Sequence, residues 1–256
     1  MEDSVFYILI RSWKAHDNFD RCIDSVLMQT YKNFKILFVD DASGLTATQK
    51  SYIKNKLKGH LVKFNKKRLY SLRNAYELLK GCPDNENAVV FNLDGDDWLP
   101  NGHSLEAVAK TYASKKACLL TYGECLVWDN GKLSDQPAHF ILPNANLAYP
   151  KSVITSGMYR REPFYPFHPR TWKLWLFKKI NKTDFLRPDG NWLQFAEDQA
   201  IFFPMLEMSG GNFQRIDKPI YVHNFEHKHS DLKANLFNLV KDELIIRIKP
   251  KYEPIP

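Results

Sequence analysis

Three carboxylates fall within four residues at Asp94, Asp96 and Asp97, in the run FNLDGDDWLPNG over residues 91–102. Like charges this close repel one another, so the cluster is costly unless something positive compensates for it. A divalent cation does so naturally, and hard oxygen ligands suit Mg²⁺ or Mn²⁺, which keep open positions for phosphate oxygens. The cluster therefore predicts a Mg²⁺ or Mn²⁺ site that can also hold phosphate.

Two other interpretations of these acids have to be weighed. The spacing of Asp94 and Asp96 also opens an EF-hand calcium loop, but that loop needs Gly at its sixth position and Glu at its twelfth. Here those positions are Leu99 and Leu105, which excludes the EF-hand. A helix N-cap or an acidic turn, where Asp is favoured, stays open as a purely structural alternative.

Histidines form a second group of candidate ligands near the C-terminus, at His223, His227 and His229. Their spacing could serve a zinc site, but neither a cysteine nor a third well-placed acid accompanies them. Zinc is therefore disfavoured. Two interpretations remain: the three histidines are a plain surface cluster, or one of them takes part in a metal or phosphate site.

The elements that must position these residues alternate between strand and helix over the first part of the chain. Apolar runs typical of buried strands are VFYILI (5–10), KILFV (35–39), LVKF (61–64) and AVVFNL (88–93), with helical periodicity between them. This order predicts βαβ units and a mostly parallel sheet, in which ligands bind beyond the carboxyl ends of the strands. Asp40 and Asp41 follow the second run, so both acidic groups should lie at one edge of the sheet.

The remainder of the chain is less regular. Residues 129–169 are rich in Pro, Asn, Gly and Ser and are typical of long loops over a site. After them we predict a helix over 170–180, a helix over 197–208, short strands around a turn over 214–224, and a helical tail from 231.

Composition limits the class of protein. With 44% hydrophobic and 25% charged residues among 256, the chain should form one large globular domain rather than a disordered or fibrous one. The net charge of +7 favours polyanionic partners, but its sign alone selects none. No apolar run could span a bilayer and the N-terminus is acidic, so we expect a soluble, cytoplasmic protein. We expect four reduced, structural cysteines: Cys22, Cys82, Cys118 and Cys125.

Several nucleotide-binding and hydrolase classes lack their motifs here. No G-x-G-x-x-G follows the first strand, and no P-loop G-x-x-x-x-G-K-[ST] occurs, so the Rossmann dehydrogenases and P-loop NTPases are disfavoured. The G-x-S-x-G elbow of the α/β-hydrolases is also missing.

Two motifs in order give a specific resemblance. The run CIDSVLMQTYKNFKILFVDDAS (22–43), followed by FNLDGDDWLP (91–100), resembles the inverting family 2 glycosyltransferases of the GT-A fold. The resemblance covers residues 5–125 and returns more weakly at 195–225. It implies an α/β fold with a mostly parallel, Rossmann-like sheet and helices on both faces. The single domain would comprise a nucleotide-sugar half (about 1–125), an acceptor half (about 126–230) and a helical tail (231–256).

The resemblance also implies roles for residues of the nucleotide-sugar half. Asp41 would accept a hydrogen bond from the nucleotide base, with Asp40 beside it and Ser12 as another nucleotide contact. The segment 65–74 would reach the base through Arg73, although this chain has none of the glycines usual in that segment.

In the Asp-x-Asp (DXD) motif, the resemblance assigns Asp96 to the ribose and Asp97 to the metal, with Asp94 as a further acid of the donor site. Asp96 and His223 would complete the Mn²⁺ or Mg²⁺ site. Asp198 of the Glu-Asp pair would be the catalytic base, since inverting transfer needs a carboxylate to take the proton of the acceptor hydroxyl. Acids at a helix N-terminus are also ordinary, so a structural role for this pair stays open.

The expected activity is transfer of a sugar, most simply from a UDP-sugar, to a glycan, lipid-linked or protein acceptor. Nucleic acid is not an expected partner, and candidate partners include a second copy of the chain. Two rival functions remain: a sugar-phosphate nucleotidyltransferase, which would normally show a Gly-rich N-terminal loop missing from ILIRSWKAHDNF, and an inactive carbohydrate-binding domain of the same fold.

Overall fold

A computed structural model describes residues 4–114, 117–226 and 235–255. Within these ranges one mixed sheet of eight strands forms the centre of the molecule, in the order β3-β2-β1-β4-β7-β5-β6, with β8 paired to β5. The strands are β1 (Phe6–Ser12), β2 (Phe34–Asp40), β3 (Leu61–Phe64), β4 (Val89–Asp94), β5 (Leu120–Asp129), β6 (Lys132–Leu133), β7 (Arg170–Lys173) and β8 (Phe213–Asn224).

The first four strands confirm the predicted parallel sheet. β1 pairs in parallel with both β2 and β4, and β2 pairs in parallel with β3. In this register Ser12 lies opposite Asp40 and Arg11 lies opposite Asp94. Asp40 and Asp94 therefore lie at the same edge of the sheet, on the two strands that flank β1, as expected.

Helices cover both faces of this sheet. They are α1 (Phe19–Leu27), α2 (Ala47–Lys56), α3 (Tyr70–Lys80), α4 (Ser104–Ser114), α5 (Ala138–Ile141), α6 (Lys151–Ser156), α7 (Leu174–Lys178), α8 (Glu197–Met208) and α9 (Leu236–Ile248).

Successive side chains of the strands point to opposite faces of the sheet and pack into two separate apolar cores. Ile8 and Ile10 of β1 lie in the core that contains Phe19 of α1, whereas Leu9 lies in the core that contains Leu72 of α3 and Phe202 of α8. This alternation is the reason that the apolar runs of the central strands are continuous, because both of their faces are buried.

The strand β7 corrects the prediction of a helix over 170–180. Residues 170–173 lie antiparallel between β4 and β5, and only Leu174–Lys178 form a helix. Thr171 and Trp172 point to opposite faces and both are buried, which a strand between two others allows and a surface helix does not. Residues 170–173 form a strand because the buried N–H and C=O groups of β4 and β5 need hydrogen-bond partners, which an extended segment between them supplies.

The strand β8 replaces the predicted short strands around a turn. It runs unbroken beside β5, with register shifts between Gly123 and Leu126. Pro219 lies opposite Glu124 at this irregularity, where a residue without an N–H is tolerated. The strand consequently extends far enough to bring residues 221–224 next to the end of β4.

The structure also bears on the expectations for the cysteines and for membrane-spanning helices. All four cysteines are free and buried, as predicted. None of the helices in the described ranges combines the length and the apolar character needed to cross a bilayer. The division of the chain into a nucleotide-sugar half, an acceptor half and a tail remains a prediction.

Candidate active site at the carboxyl edge of the sheet

The acidic motif turns away from β4 at Gly95, against the end of β1. A Cβ atom at Gly95 would lie 2.9 Å from the Arg11 carbonyl oxygen and 2.9 Å from the Ser12 Cα, so only glycine fits. The turn is closed by the Asp97 N–H, which donates to the Asp94 carbonyl at 3.0 Å. The three carboxylates are thus presented at the sheet edge by direct backbone contact between β1 and the motif.

The final strand holds the carboxylate of Asp97 from three sides. The Tyr221 hydroxyl donates to Asp97 Oδ2 at 2.6 Å, His223 Nδ1 lies 3.1 Å from the same oxygen, and the Asn224 N–H donates to Oδ1 at 2.8 Å. The Asp97 side chain is almost fully buried. Its position is therefore fixed by β8, an element far away in the sequence.

The carboxylates of this turn raise the proton affinity of the groups beside them. Burial, together with the charges of Asp97 and Asp94, raises the pKa of Asp96 well above its ordinary value. Burial lowers the pKa of His223, but the Asp97 carboxylate and its hydrogen bond, with Asp96 and Asp94, more than offset this and raise it. Both groups therefore bind a proton more readily than usual, which is the response expected of a site that also attracts a cation.

A third candidate ligand comes from the loop before β7. His168 lies in one group with Asp97 and His223, and ligand atoms of the three residues all lie within 4.8 Å of one another. Burial, and then the charges of Arg170, His223 and Arg11, lower the pKa of His168 well below its ordinary value, so its ring is neutral. Its Nδ1 is buried without a hydrogen-bond partner in the described structure. A neutral imidazole with an unused nitrogen fits a divalent metal ion.

This arrangement differs from the predicted metal set in one member. Asp97 and His223 are brought together as expected, whereas the group contains His168 and not the Asp96 carboxylate. His227 and His229 lie outside the described residues. No local pattern in the sequence indicates His168, because only the path of the chain from 129 to 170 carries it to the motif.

A cleft opens beside the motif, between the end of β1 and the segment before α3. It contains two of the predicted nucleotide contacts, Ser12 and Asp41. Its lining residues are Arg11, Ser12, Trp13, Asp41, Arg68, Tyr70, Ser71 and Asn74.

Asp41 shapes the wall of this cleft. Its Oδ1 accepts hydrogen bonds from the Asn65 side-chain amide and the Leu69 N–H, both at 2.8 Å, and its Oδ2 accepts one from the Tyr70 N–H at 2.8 Å. These bonds hold the segment that lacks the family's glycines, including Tyr70 in a left-handed conformation at φ +63°. Asp40 has a similar but smaller role, since its Oδ1 accepts from the Ser43 N–H at 3.1 Å.

Arg68 lines this cleft together with Arg11, and Arg73 is not among the lining residues. The Arg68 guanidinium lies 3.4 Å from the centre of the Trp13 ring and 4.3 Å from that of Tyr70. Arg73, the predicted contact, points along α3 and donates to Glu77 at 2.9 Å. Arg68 lies within the predicted segment 65–74, whereas Trp13, directly after Ser12, carries no signal in the sequence that predicts it.

The second acidic pair begins α8, next to the same sheet edge. Ala196 in a left-handed conformation, at φ +52°, turns the chain into the helix. Asp198 Oδ2 then accepts a hydrogen bond from Arg170 at 3.1 Å, and Glu197 forms an ion pair with Arg11. Arg11 also donates to Asp94 at 3.0 Å, so one buried arginine joins the two acidic motifs.

The carboxyl edge therefore collects a cleft beside Ser12 and Asp41, three motif acids, two histidines and a second acidic pair. Similar solved structures include TarS residues 1–349 from S. aureus, at 17% identity and TM-score 0.59, over 86% of this chain and 60% of that one. Another is the mannosyltransferase PcManGT from Pyrobaculum calidifontis in complex with GDP-Man and Mn²⁺, at 14% identity and TM-score 0.58, over 97% of this chain and 65% of that one.

These likenesses confirm the GT-A fold, and the chain spans less than two thirds of either neighbour. No curated protein sequence matches the chain significantly. The family model described as "Glycosyl transferase family 2" matches residues 7–183, more than half of the chain. The protein belongs to glycosyl transferase family 2.

Proposed function

We propose that the chain transfers a glycosyl group from a nucleoside-diphosphate sugar to an acceptor hydroxyl, with inversion at the anomeric carbon. The observation that carries this proposal is the meeting of the Asp94–Asp97 motif and the Glu197–Asp198 pair at one sheet edge, joined through Arg11. A donor held at the first motif would place its anomeric carbon within reach of an acceptor at the second.

The donor would lie in the cleft lined by Ser12 and Asp41, with its ribose at Asp96 and its base near Trp13 and Arg68. Asp40, Asp94 and Arg73 would contribute to this site as the family resemblance implies. We propose a UDP-sugar as donor. TarS residues 1–349 have been solved with UDP-GlcNAc, at 15% identity, and PcManGT with GDP-Man, so the panel of donors tested should include both nucleotides.

Asp97, His223 and His168 would hold a Mn²⁺ or Mg²⁺ ion at this edge, with Asp96 beside them. The bound cation would supply positive charge against the departing diphosphate. The presence of Mn²⁺ in the PcManGT complex supports this part of the proposal.

The reaction itself would be a single displacement. Asp198 would accept the proton of the acceptor hydroxyl while the acceptor oxygen bonds to the anomeric carbon. The bond from that carbon to the diphosphate breaks in the same step, and the nucleoside diphosphate leaves with the bonding electrons. The loops between residues 129 and 195 would surround the acceptor, a glycan, a lipid-linked sugar or a protein.

The test is release of nucleoside diphosphate. The protein is incubated with Mn²⁺ or Mg²⁺ and a panel of UDP- and GDP-sugars, and donor binding is measured separately by calorimetry. Asp97→Asn should abolish metal-dependent donor binding. Asp198→Asn should preserve it and lower kcat about 10²- to 10⁴-fold, the usual contribution of a general base.

Glu86→Gln is the matched control, because Glu86 is an exposed acid before the start of β4, at the opposite edge of the sheet. It should change neither donor binding nor kcat. Donor binding without any release would favour the inactive carbohydrate-binding domain. Formation of a nucleotide sugar from a nucleoside triphosphate and a sugar phosphate would favour the nucleotidyltransferase. Absence of both donor binding and release would overturn the proposal.

A further inference from the structure

We propose that Arg170 is the positioning residue of the base: it holds one carboxylate oxygen of Asp198, while Arg11 fixes Glu197 as an anchor of α8. This inference rests on the proposed function. It assigns different roles to the two neighbouring acids and a role in catalysis to a residue outside both acidic motifs.

The two arginines stand on either side of β4. Arg11 lies on β1 opposite Asp94, and Arg170 lies on β7 opposite Asn92. Their side chains are only 4% and 5% exposed, so each guanidinium must find acceptors within the protein. The strand order thus places two buried positive charges within hydrogen-bonding distance of the first two residues of α8.

Each arginine serves a different acid. Arg11 pairs with Glu197 and also donates to Asn92 at 2.7 Å and to Asp94 at 3.0 Å. Arg170 donates to Asp198 Oδ2 at 3.1 Å. Glu197 therefore takes part in a network that links α8 to β1 and β4.

The exposure of the two acids agrees with this division. The Asp198 side chain is 31% exposed although its arginine is buried, whereas the Glu197 side chain is 15% exposed. Asp198 Oδ1 also accepts the Gln199 N–H at 2.8 Å, so both of its oxygens are oriented by the protein. Asp198 is the acid of the pair that an acceptor hydroxyl can reach more easily.

Arg170 also keeps Asp198 able to accept a proton. Burial raises the pKa of the Asp198 carboxyl, Arg170 of β7 lowers it, and the charges of Glu197 on the same helix and Asp94 of β4 raise it again, with a net increase. Without Arg170 the charge that lowers the Asp198 pKa would be lost, and the raising charges of Glu197 and Asp94 would remain. The carboxyl would then stay protonated to a higher pH and could not act as a base there.

The experiment compares Arg170→Gln, Arg170→Lys and wild type in kcat, in donor KM and in the pH dependence of kcat. For Arg170→Gln we expect an unchanged donor KM and a kcat about 10- to 100-fold lower at neutral pH, part of the contribution of a general base. The acid limb of kcat should move up by about one pH unit or more, as loss of an adjacent arginine predicts for a carboxyl. Arg170→Lys should keep the limb in place.

Arg160→Gln is the matched control, because Arg160 forms another buried ion pair with a residue of α8. Its partner is Glu207, near the far end of the helix, at 2.6 Å. It should lower the melting temperature and leave the pH dependence of kcat as in wild type. The proposal is overturned if Arg170→Gln keeps the wild-type pH dependence, or if Arg160→Gln shifts it equally.

If Arg170→Gln does not fold, Arg170→Lys decides: a lower kcat at unchanged donor KM supports the proposal, and a raised KM at unchanged kcat overturns it. The Asp198 pKa can also be measured directly by carbon NMR on aspartate-labelled protein, with Asp198→Asn to assign its signal. This readout needs no turnover, so failure of the proposed glycosyl transfer is distinguishable from failure of the assignment to Arg170.

Discussion

The carboxylate of Asp97 is held in place by polar contacts to both of its oxygens. A hydroxyl, an imidazole and a backbone N–H all point at its two oxygens, from Tyr221, His223 and Asn224. Hydrogen bonds to a charged acceptor are among the stronger ones in proteins, so this carboxylate is held in place before any ligand binds. A ligand atom fixed in this way loses little conformational freedom on binding a cation.

Gly95 provides a test of how closely the motif must approach β1. In Gly95→Ala the added methyl would lie 2.9 Å from backbone atoms of Arg11 and Ser12, which cannot rotate away. We expect a loss of about 1–3 kcal/mol in unfolding free energy, the usual cost of overpacking, and weaker donor binding because the motif is displaced. Urea denaturation and calorimetry with UDP and Mn²⁺ measure the two effects.

Gly81→Ala is the control for this prediction. A Cβ at Gly81 would meet only Leu78 and Glu77 carbonyl oxygens, at 3.5 and 3.7 Å, and no positive φ is involved. This variant should be neutral or slightly more stable, since alanine restricts the unfolded chain. Equal stability of the two variants would contradict the close approach inferred at Gly95.

At the scale of elements, α2 shows how a polar helix without an apolar stripe is held in place. Among its residues only Ile53 is buried, and a capping box begins the helix. The Gln49 N–H donates to the Thr46 hydroxyl at 3.2 Å, and the Thr46 N–H donates to the Gln49 side chain at 2.8 Å. The cap therefore adds to the ion pairs of Lys56 with Asp20 and Asp24 of α1 in holding this helix.

Thr46→Ala should accordingly destabilise the protein by about 1 kcal/mol, because it leaves the first turn of α2 without its hydroxyl acceptor. The expected readout is a lower urea midpoint with unchanged kcat, since Thr46 is exposed and contacts none of the motif acids. Thr48→Ala, an exposed position two residues later, should not lower the midpoint. A loss of stability at Thr48 as large as at Thr46 would argue against the cap.

The elements also mark what the sequence could and could not predict. The first four strands and the edge that carries Asp40, Asp41 and Asp94 follow from local periodicity and from the geometry of parallel sheets. The strand at 170–173 does not, because Trp172 and its neighbours have an apolar pattern equally suited to a helix. Pairing with β4 and β5, contacts distant in sequence, decides its conformation.

The same reason separates the parts of the site. The Asp94–Asp97 cluster is a local pattern and could be identified as such, and His223 could be proposed from the family resemblance. His168, Arg170 and the hold of Tyr221 on Asp97 depend on the packing of segments that carry no motif. Arg68 lines the cleft because Asp41 accepts the backbone N–H groups of Leu69 and Tyr70, an arrangement that local propensity does not encode.

At the scale of the whole molecule, α9 supports the start of α8 from a distance. Asp242 of α9 is fully buried, and its Oδ2 accepts the N–H groups of Gln194 and Phe195 at 2.9 and 3.1 Å. Arg187 binds both oxygens of the same carboxylate, at 2.7 and 2.8 Å. The chain is therefore anchored immediately before Ala196, where it turns into the helix that begins with the acidic pair.

Asp242→Asn should reveal this support. Removal of the charge leaves Arg187 without its counter-ion and should cost about 3–5 kcal/mol of unfolding free energy, as for other broken buried pairs. We also expect a larger loss in kcat than in UDP affinity, because the start of α8 loosens directly, whereas the donor cleft is reached only through the contact of the Phe195 ring with Tyr70. Chemical denaturation, calorimetry and turnover measure the three quantities.

Glu243→Gln is the neighbouring control, since Glu243 forms a partly exposed pair with Arg247 on the same helix. Its loss should cost roughly 0.5 kcal/mol and leave kcat unchanged. If Asp242→Asn weakens UDP binding as much as it lowers kcat, the anchor acts on the whole sheet edge and not on the start of α8.

The hold of β8 on Asp97 has a consequence for the exchange of parts between relatives. A chimera that joins residues 1–125 of this chain to the second half of another family member would take the residues that contact Asp97, the proposed metal ligand, from the other protein. Unless the new half supplies a hydroxyl, an imidazole and an N–H in the register of Tyr221, His223 and Asn224, the hybrid would lose donor binding together with its original acceptor. If the loops of residues 129–195 surround the acceptor as proposed, its specificity is therefore better redesigned within these loops, with β8 left as it is.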